Sequence, residues 1–202
     1  MVAMNARRII LASRSPRRRA LLEEAGWEVA VRIGPVDDGV LSPEQTGPAE
    51  WTTALAWLKA RSARDCVRGE SSDIADWPIL AGDTVCEQES QLIGQPQDAA
   101  GARAMIQSFQ AASHQVWTGL CLLVPGQPRR IGADSARVWL GALSDAELDA
   151  YIDGGQWQGK AGGYNLSERV DAGWPIWYEG HASTIMGLPL PLLERLLQGE
   201  CV

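Results

Sequence analysis

Short apolar runs alternate with longer amphipathic stretches along the chain, and this alternation predicts an α/β protein. Ile9-Ile10-Leu11-Ala12 reads as a strand, followed by a helix that Ser15 caps, Pro16 opens and Gly26 stops. A second strand fits Glu28 to Ile33 and ends at the Gly34-Pro35 break. Pro48 to Val67 predicts a helix with Trp51, Ala54, Leu55 and Leu58 on one face and Lys59 near its edge. Trp77-Pro78-Ile79-Leu80-Ala81-Gly82 reads as a buried strand that places Asp83 at its C-terminal end. Val85 to Glu87 and Leu92-Ile93 fit a hairpin around Glu89-Ser90.

The second half continues the pattern. Asp98 to Phe109 predicts a helix despite Gly101, and Pro125-Gly126-Gln127-Pro128 reads as a turn between strands at Val116 to Val124 and Arg130 to Leu140. Ser144-Asp145-Ala146-Glu147 is a capping box for a helix to about Ile152. Residues 154 to 163 read as a glycine-rich loop, Pro175 to Tyr178 as a strand and Pro189 to Gln198 as a closing helix. Hairpins beside crossovers predict a mixed rather than a purely parallel sheet.

Size and composition narrow the class. A chain of 202 residues with 46% hydrophobic and 21% charged content fits one domain, or one domain with two lobes. No apolar run is long enough for a transmembrane helix, and the N-terminus lacks the apolar core of a signal peptide. Cys66, Cys86, Cys121 and Cys201 are widely spaced and only two histidines are present, so they read as reduced structural thiols of a cytoplasmic protein. The net charge of −7 argues against broad contact with nucleic acid.

Against that acidic balance, Arg14, Arg17, Arg18 and Arg19 crowd the start of the first helix. Carboxylates are favoured at that end of a helix dipole, so basic residues there suggest an anionic ligand, and a small polyphosphate suits a local cluster. Lys59 and Lys160 are the only lysines among eighteen Lys+Arg residues. They are either survivors of compositional drift toward arginine or sites that need a compact ammonium. Asp37-Asp38 reads as a ligand pair for a hard cation or as a solvated turn. Asp83, at a strand's C-terminal edge where α/β crevices open, reads as a general base or a metal ligand. Gly159-Lys160-Ala161-Gly162-Gly163-Tyr164 is either a close approach of backbone to a ligand or a connector, and it is not a Walker loop.

Ser13-x-Ser15-Pro16-Arg17-Arg18 with Leu21-Leu22, then Gly82-Asp83-Thr84, Lys160-Ala161-Gly162-Gly163-Tyr164 and Met186-Gly187-Leu188-Pro189-Leu190, resemble the Maf family of nucleoside triphosphate pyrophosphatases. The resemblance runs from about Ile9 to Leu197, in the family's order. It implies an elongated mixed β-sheet flanked by helices, with two lobes around a central cleft, as in inosine triphosphate pyrophosphatase. It further implies a homodimer, a nucleotide substrate and a divalent metal, Mg²⁺ or Mn²⁺. Carried over by position, it assigns Ser13, Arg17, Arg18 and Lys59 to the triphosphate and Asp83 to the proton acceptor. Asp37 and Asp38 fall where the family has its acidic pair near the metal. Arg17 and Thr84 match the branch that prefers dTTP and UTP.

Three positions depart from the family pattern. Arg14 stands where the family has a small residue, and Gln95 stands where it has a lysine. The family's Gln, or Glu in the other branch, falls at Ser167 without gaps and at Glu168 with a one-residue shift. A rival class follows: a nucleotide-binding regulator of cell division with weakened catalysis. Another is a phosphatase that releases single phosphates.

Overall fold

The computed structural model describes residues 7–36, 46–68 and 73–200. Its strands form a seven-stranded sheet in the order β2-β1-β3-β5-β6-β7, with β4 paired to β3 off that path. The strands are β1 (Arg7–Leu11), β2 (Trp27–Val31), β3 (Ile79–Gln88), β4 (Gln91–Ile93), β5 (His114–Leu123), β6 (Arg130–Leu140) and β7 (Ile176–Glu179). The helices are α1 (Pro16–Glu24), α2 (Pro48–Arg68), α3 (Ala99–Ala111), α4 (Asp145–Asp153), α5 (Leu166–Asp171), α6 (Ala182–Ile185) and α7 (Leu190–Gln198). β1 runs parallel to β2 and β3, whereas β3 with β4 and β6 with β7 are antiparallel. The sheet is therefore mixed and carries helices, as the pattern predicts.

The chain divides into two compact units. The first takes the chain up to Asp83, Gly119–Ala133 and the segment from Leu190. Its core includes Ile10, Ala12, Ala56, Ala60, Ala63, Val67, Ile79, Ala81 and Cys121. The α2 face that it buries is not the expected one. Thr52, Leu55, Ala56, Ala60, Ala63 and Val67 are buried, while Trp51, Ala54 and Leu58 are only half-buried. Close packing explains the rotation. A Cβ on Gly119 would stand 2.5 Å from the backbone of Thr52 and Thr53, so small residues, not large ones, must face that strand.

The second unit takes Thr84–Thr118 and Asp134–Pro189. Its core gathers Ile106, Phe109, Val138, Leu140, Leu148, Tyr151, Trp157, Tyr164 and Trp174. The hairpin between β3 and β4 turns through Glu89 and Ser90, both at positive φ, in the register Gln88 to Gln91. Asp98 caps α3 by accepting from the Gly101 N–H at 2.7 Å, which is why that glycine does not interrupt the helix. The Ser144 capping box forms on α4 as expected.

The glycine-rich segment is not a connector. It ends in a 3-10 turn, Ala161–Gly163, and its Gly162 is buried at φ 68°. A Cβ there would meet Cys86 Sγ at 2.7 Å and Phe109 Cε2 at 3.1 Å. These glycines bring backbone into the core. The helices α5 and α6 have no counterpart in the sequence reading.

Candidate functional site

The first unit brings five of the predicted residues into one neighbourhood. The buried strand β1 ends at Leu11 and the chain turns at once into α1, which sets Ser13 and Ser15 at the helix start. Ser15 caps α1 by accepting from the Arg18 N–H at 3.5 Å. Ser13 Oγ accepts twice, from the Ser15 N–H at 3.2 Å and from Arg18 Nη1 at 3.0 Å. Both acceptor directions of Ser13 are thereby taken, which leaves its own O–H to donate to an anionic oxygen. No acidic residue occupies the first turn of α1, so the dipole's positive end and the arginines act together.

Arg18 is half-buried at this helix start. Burial lowers its pKa, the Asp83 charge opposes that shift, and the neighbouring Arg17 charge adds to it. Gly82 makes room for Arg18: a Cβ at that position would approach Arg18 Nε to 3.3 Å and Leu120 Cδ2 to 3.1 Å. This glycine is needed for packing and does not end the strand. Asp83 accordingly sits inside the ten-residue β3, not at its C-terminal end as expected.

Lys59, from α2, donates to Asp83 Oδ1 at 2.6 Å. Both side chains are mostly buried, with 25% and 15% exposure. A lysine suits this place because a single ammonium meets a single carboxylate oxygen, where an Arg fork would demand both. The arrangement offers a carboxylate next to an anion cradle of Ser13, Arg17 and Arg18. It can accept a proton while cations hold a negatively charged substrate.

The second unit holds Thr84, Gln95 and Ser167. Thr84 Oγ1 lies 2.9 Å from Thr118 Oγ1. Gln95 is exposed, and its backbone carbonyl accepts from Gln97 Nε2 at 3.4 Å. Ser167 donates to Asn165 Oδ1 at 2.9 Å, the same oxygen that caps α5. Its hydroxyl serves the helix start, while the next residue, Glu168, pairs with the buried Lys160 ammonium. Both lysines of the chain are thus in ion pairs with carboxylates. Asp37 and Asp38 lie outside the described residues. Among the described residues no group of three or more His, Cys, Asp or Glu could hold a metal ion.

A polar chain behind Thr84 has no counterpart in the sequence reading. Thr118 donates to the Thr184 carbonyl at 2.9 Å, and Thr184 Oγ1 donates to Asp134 Oδ2 at 2.5 Å. Threonines in and beside strands read as ordinary β-formers, so sequence carries no signal for this chain. The thiols have no such role: burial pushes Cys86 and Cys121 up to about 12, and they are free and inert.

The chain matches the family model described as Maf-like protein over residues 8–200. It is 37% identical to a dTTP/UTP pyrophosphatase of Salinibacter ruber, over 95% of this chain and 90% of that protein. It is 35% identical to a dTTP/UTP pyrophosphatase of Deinococcus radiodurans, over 100% of this chain and 97% of that protein. Among solved structures it is similar to a HAM1 protein from Coxiella burnetii, at 17% identity and a TM-score of 0.43, covering 96% of this chain and 100% of that one. No described helix is long and apolar enough to cross a membrane.

Proposed function

The chain belongs to the family of Maf-like proteins, and on that premise we propose that it is a nucleoside triphosphate pyrophosphatase acting on dTTP and UTP. The observation that carries the reading is the Asp83 carboxylate held by Lys59 beside the Ser13, Arg17 and Arg18 cradle. The relatives' shared name favours an enzyme over a catalytically weak regulator.

In this reading Ser13 donates to a phosphate oxygen, and Arg17 and Arg18 offset the triphosphate charge. Asp83 takes a proton from the attacking water. The water oxygen bonds to the α-phosphorus, the bond from that phosphorus to the bridging oxygen of the β-phosphate breaks, and pyrophosphate leaves with the monophosphate as the other product. Lys59 keeps the carboxylate oriented through its hydrogen bond to Oδ1. Thr84 contributes to base choice.

Metal dependence belongs to the same proposal. A divalent cation, Mg²⁺ or Mn²⁺, would offset charge on the polyphosphate when bound, with Asp37 and Asp38 as the residues the resemblance assigns to it. No step above is routed through it. The homodimer that the resemblance implies is part of the reading as well.

The test is product analysis. The purified protein is incubated with dTTP, UTP, CTP and purine triphosphates, with Mg²⁺ or Mn²⁺ and after chelation, and pyrophosphate and orthophosphate are measured separately. Pyrophosphate from dTTP and UTP supports the reading. Orthophosphate as the first product would indicate a phosphatase, and nucleotide binding without turnover a regulator.

A further inference from the structure

On α2 the residues that directly follow the buried Ala56, Ala60, Ala63 and Val67 are Trp57, Arg61, Arg64 and Arg68. The four form a second stripe along the helix, about 100° round from the core face. Lys59 precedes Ala60 and flanks the core face on its other side, so the stripe lies away from the pair of Lys59 with Asp83. Arg129, just before β6 and in the same unit, joins the stripe. Its guanidinium carbon stands 5.2 Å from the centre of the Trp57 ring, and that of Arg61 stands 5.5 Å from the same point. Burial raises the Cys121 thiol to about 12, and the charges of Arg129 and Arg64 oppose that shift, so both guanidiniums lie near one part of the core.

These cations lack counter-charges. Arg61, Arg68 and Arg129 have no carboxylate partner among the described residues. Asp65 stands four residues after Arg61, where an ion pair is favoured, yet Arg61 folds back over Trp57 instead. Arg64 Nε is buried without a hydrogen-bond partner among the described residues, and Asp65 Oδ1 at 3.9 Å is too far to accept from it. Like charges three and four residues apart on a helix repel, and a buried N–H without an acceptor costs stability. An anion laid on the stripe removes both costs.

We propose that Arg61, Arg64, Arg68 and Arg129, gathered around Trp57, form a second anion site, separate from the Ser13, Arg17 and Arg18 cradle, for an inorganic polyphosphate of three or more phosphates. Trp57 packs against the core and carries two guanidiniums, which leaves its ring to fix cations. Arg61 to Arg68 cover about 10 Å of helix axis, a length that a short linear chain of phosphates lines with charge. An extended acidic peptide brings carboxylates to one face only about every 7 Å. The site stands whether or not the cradle is catalytic.

The probe is inorganic tripolyphosphate, titrated calorimetrically at low ionic strength into the native protein, Arg61→Gln/Arg129→Gln and the cradle variant Arg17→Gln/Arg18→Gln. The native protein is expected to take two equivalents and each variant one. Adding Arg64→Gln to the cradle variant weakens the remaining site about tenfold. A second measurement uses the native protein alone, so that folding of a variant does not enter: phenylglyoxal labelling with and without tripolyphosphate, located by peptide mass. Tripolyphosphate should protect Arg61, Arg64 and Arg129 and leave Arg7, which is paired with Glu194, as it was. Unchanged labelling of Arg61 and Arg129, or loss of all binding in a folded cradle variant, would overturn the proposal. Tighter binding of a hexaglutamate peptide than of tripolyphosphate would overturn the assignment to phosphate. Absence of pyrophosphate release from every triphosphate would overturn the catalytic reading alone, and the labelling would still decide the stripe.

Discussion

Lys59 and Asp83 form a pair in which each residue type is fixed by the other. The ammonium reaches one carboxylate oxygen at 2.6 Å, and an arginine at the same place would have to turn a planar fork into a mostly buried space. Lys59→Arg is expected to lower kcat about tenfold or more, the equivalent of one charge-assisted hydrogen bond of ~1.5 kcal/mol, with the melting temperature little changed. Steady-state kinetics beside a thermal melt would check this. The scarcity of lysine was a legible signal for this site. The Asp83 partner was not legible, because a pair 24 positions apart leaves no trace in local spacing. His114 makes a second prediction at this scale. It is stacked on Phe109 with ring centroids 3.8 Å apart, bonds Tyr164 through Nε2 at 2.7 Å, and leaves Nδ1 without a partner among the described residues. Burial lowers its pKa from 6.5 to about 4. The folded state thus resists a proton that the unfolded chain accepts, so stability is full above pH 6.5 and falls as the pH drops toward 4, by about 3 kcal/mol at most. Urea unfolding at pH 7 and pH 4.5 should show this loss, and His114→Gln should reduce the pH dependence.

Elements were largely legible, but their faces and ends were not. The first turn of α1 followed from Ser15, Pro16 and Gly26, and the α4 start from its capping box. Both are local chemistry, which a sequence displays. The buried face of α2 is set by what the helix meets, and that is Gly119, 67 positions after Thr52 in the chain and beyond any periodicity argument. Gly119→Ala would place a methyl group 2.5 Å from the backbone of α2, and backbone cannot give way as a side chain can. We expect a loss of about 2 kcal/mol or more and a melting temperature lower by roughly 4 to 8 °C. Differential scanning calorimetry would check this, and an unchanged melt would mean that α2 can shift freely. Gly82 was misread for a related reason. It looked like a strand stop before Asp83, yet its role is to admit Arg18 and Leu120 at short distance while β3 continues. A glycine in a strand reports either a break or a close approach, and only the neighbours say which.

At the scale of the whole molecule, a net charge of −7 coexists with a basic helix start, and the pairing of the two is informative. A basic surface would invite polyanions in general, whereas one local cluster in an acidic protein suits a single small polyphosphate. Four motifs in order along nearly the full chain made the family legible from sequence, and the match over residues 8–200 agrees with it. The polar chain behind Thr84 was out of reach, since it depends on which hydroxyl proton points where in the folded protein. The measurement that bears most directly on the central claim is pyrophosphate release from dTTP and UTP by the native protein and by Asp83→Asn. The substitution keeps the shape of the side chain and removes its capacity to take a proton. The account predicts release by the native protein and a loss of at least about a hundredfold in the variant, with nucleotide binding and the melting temperature retained. Near-native turnover by Asp83→Asn would contradict it.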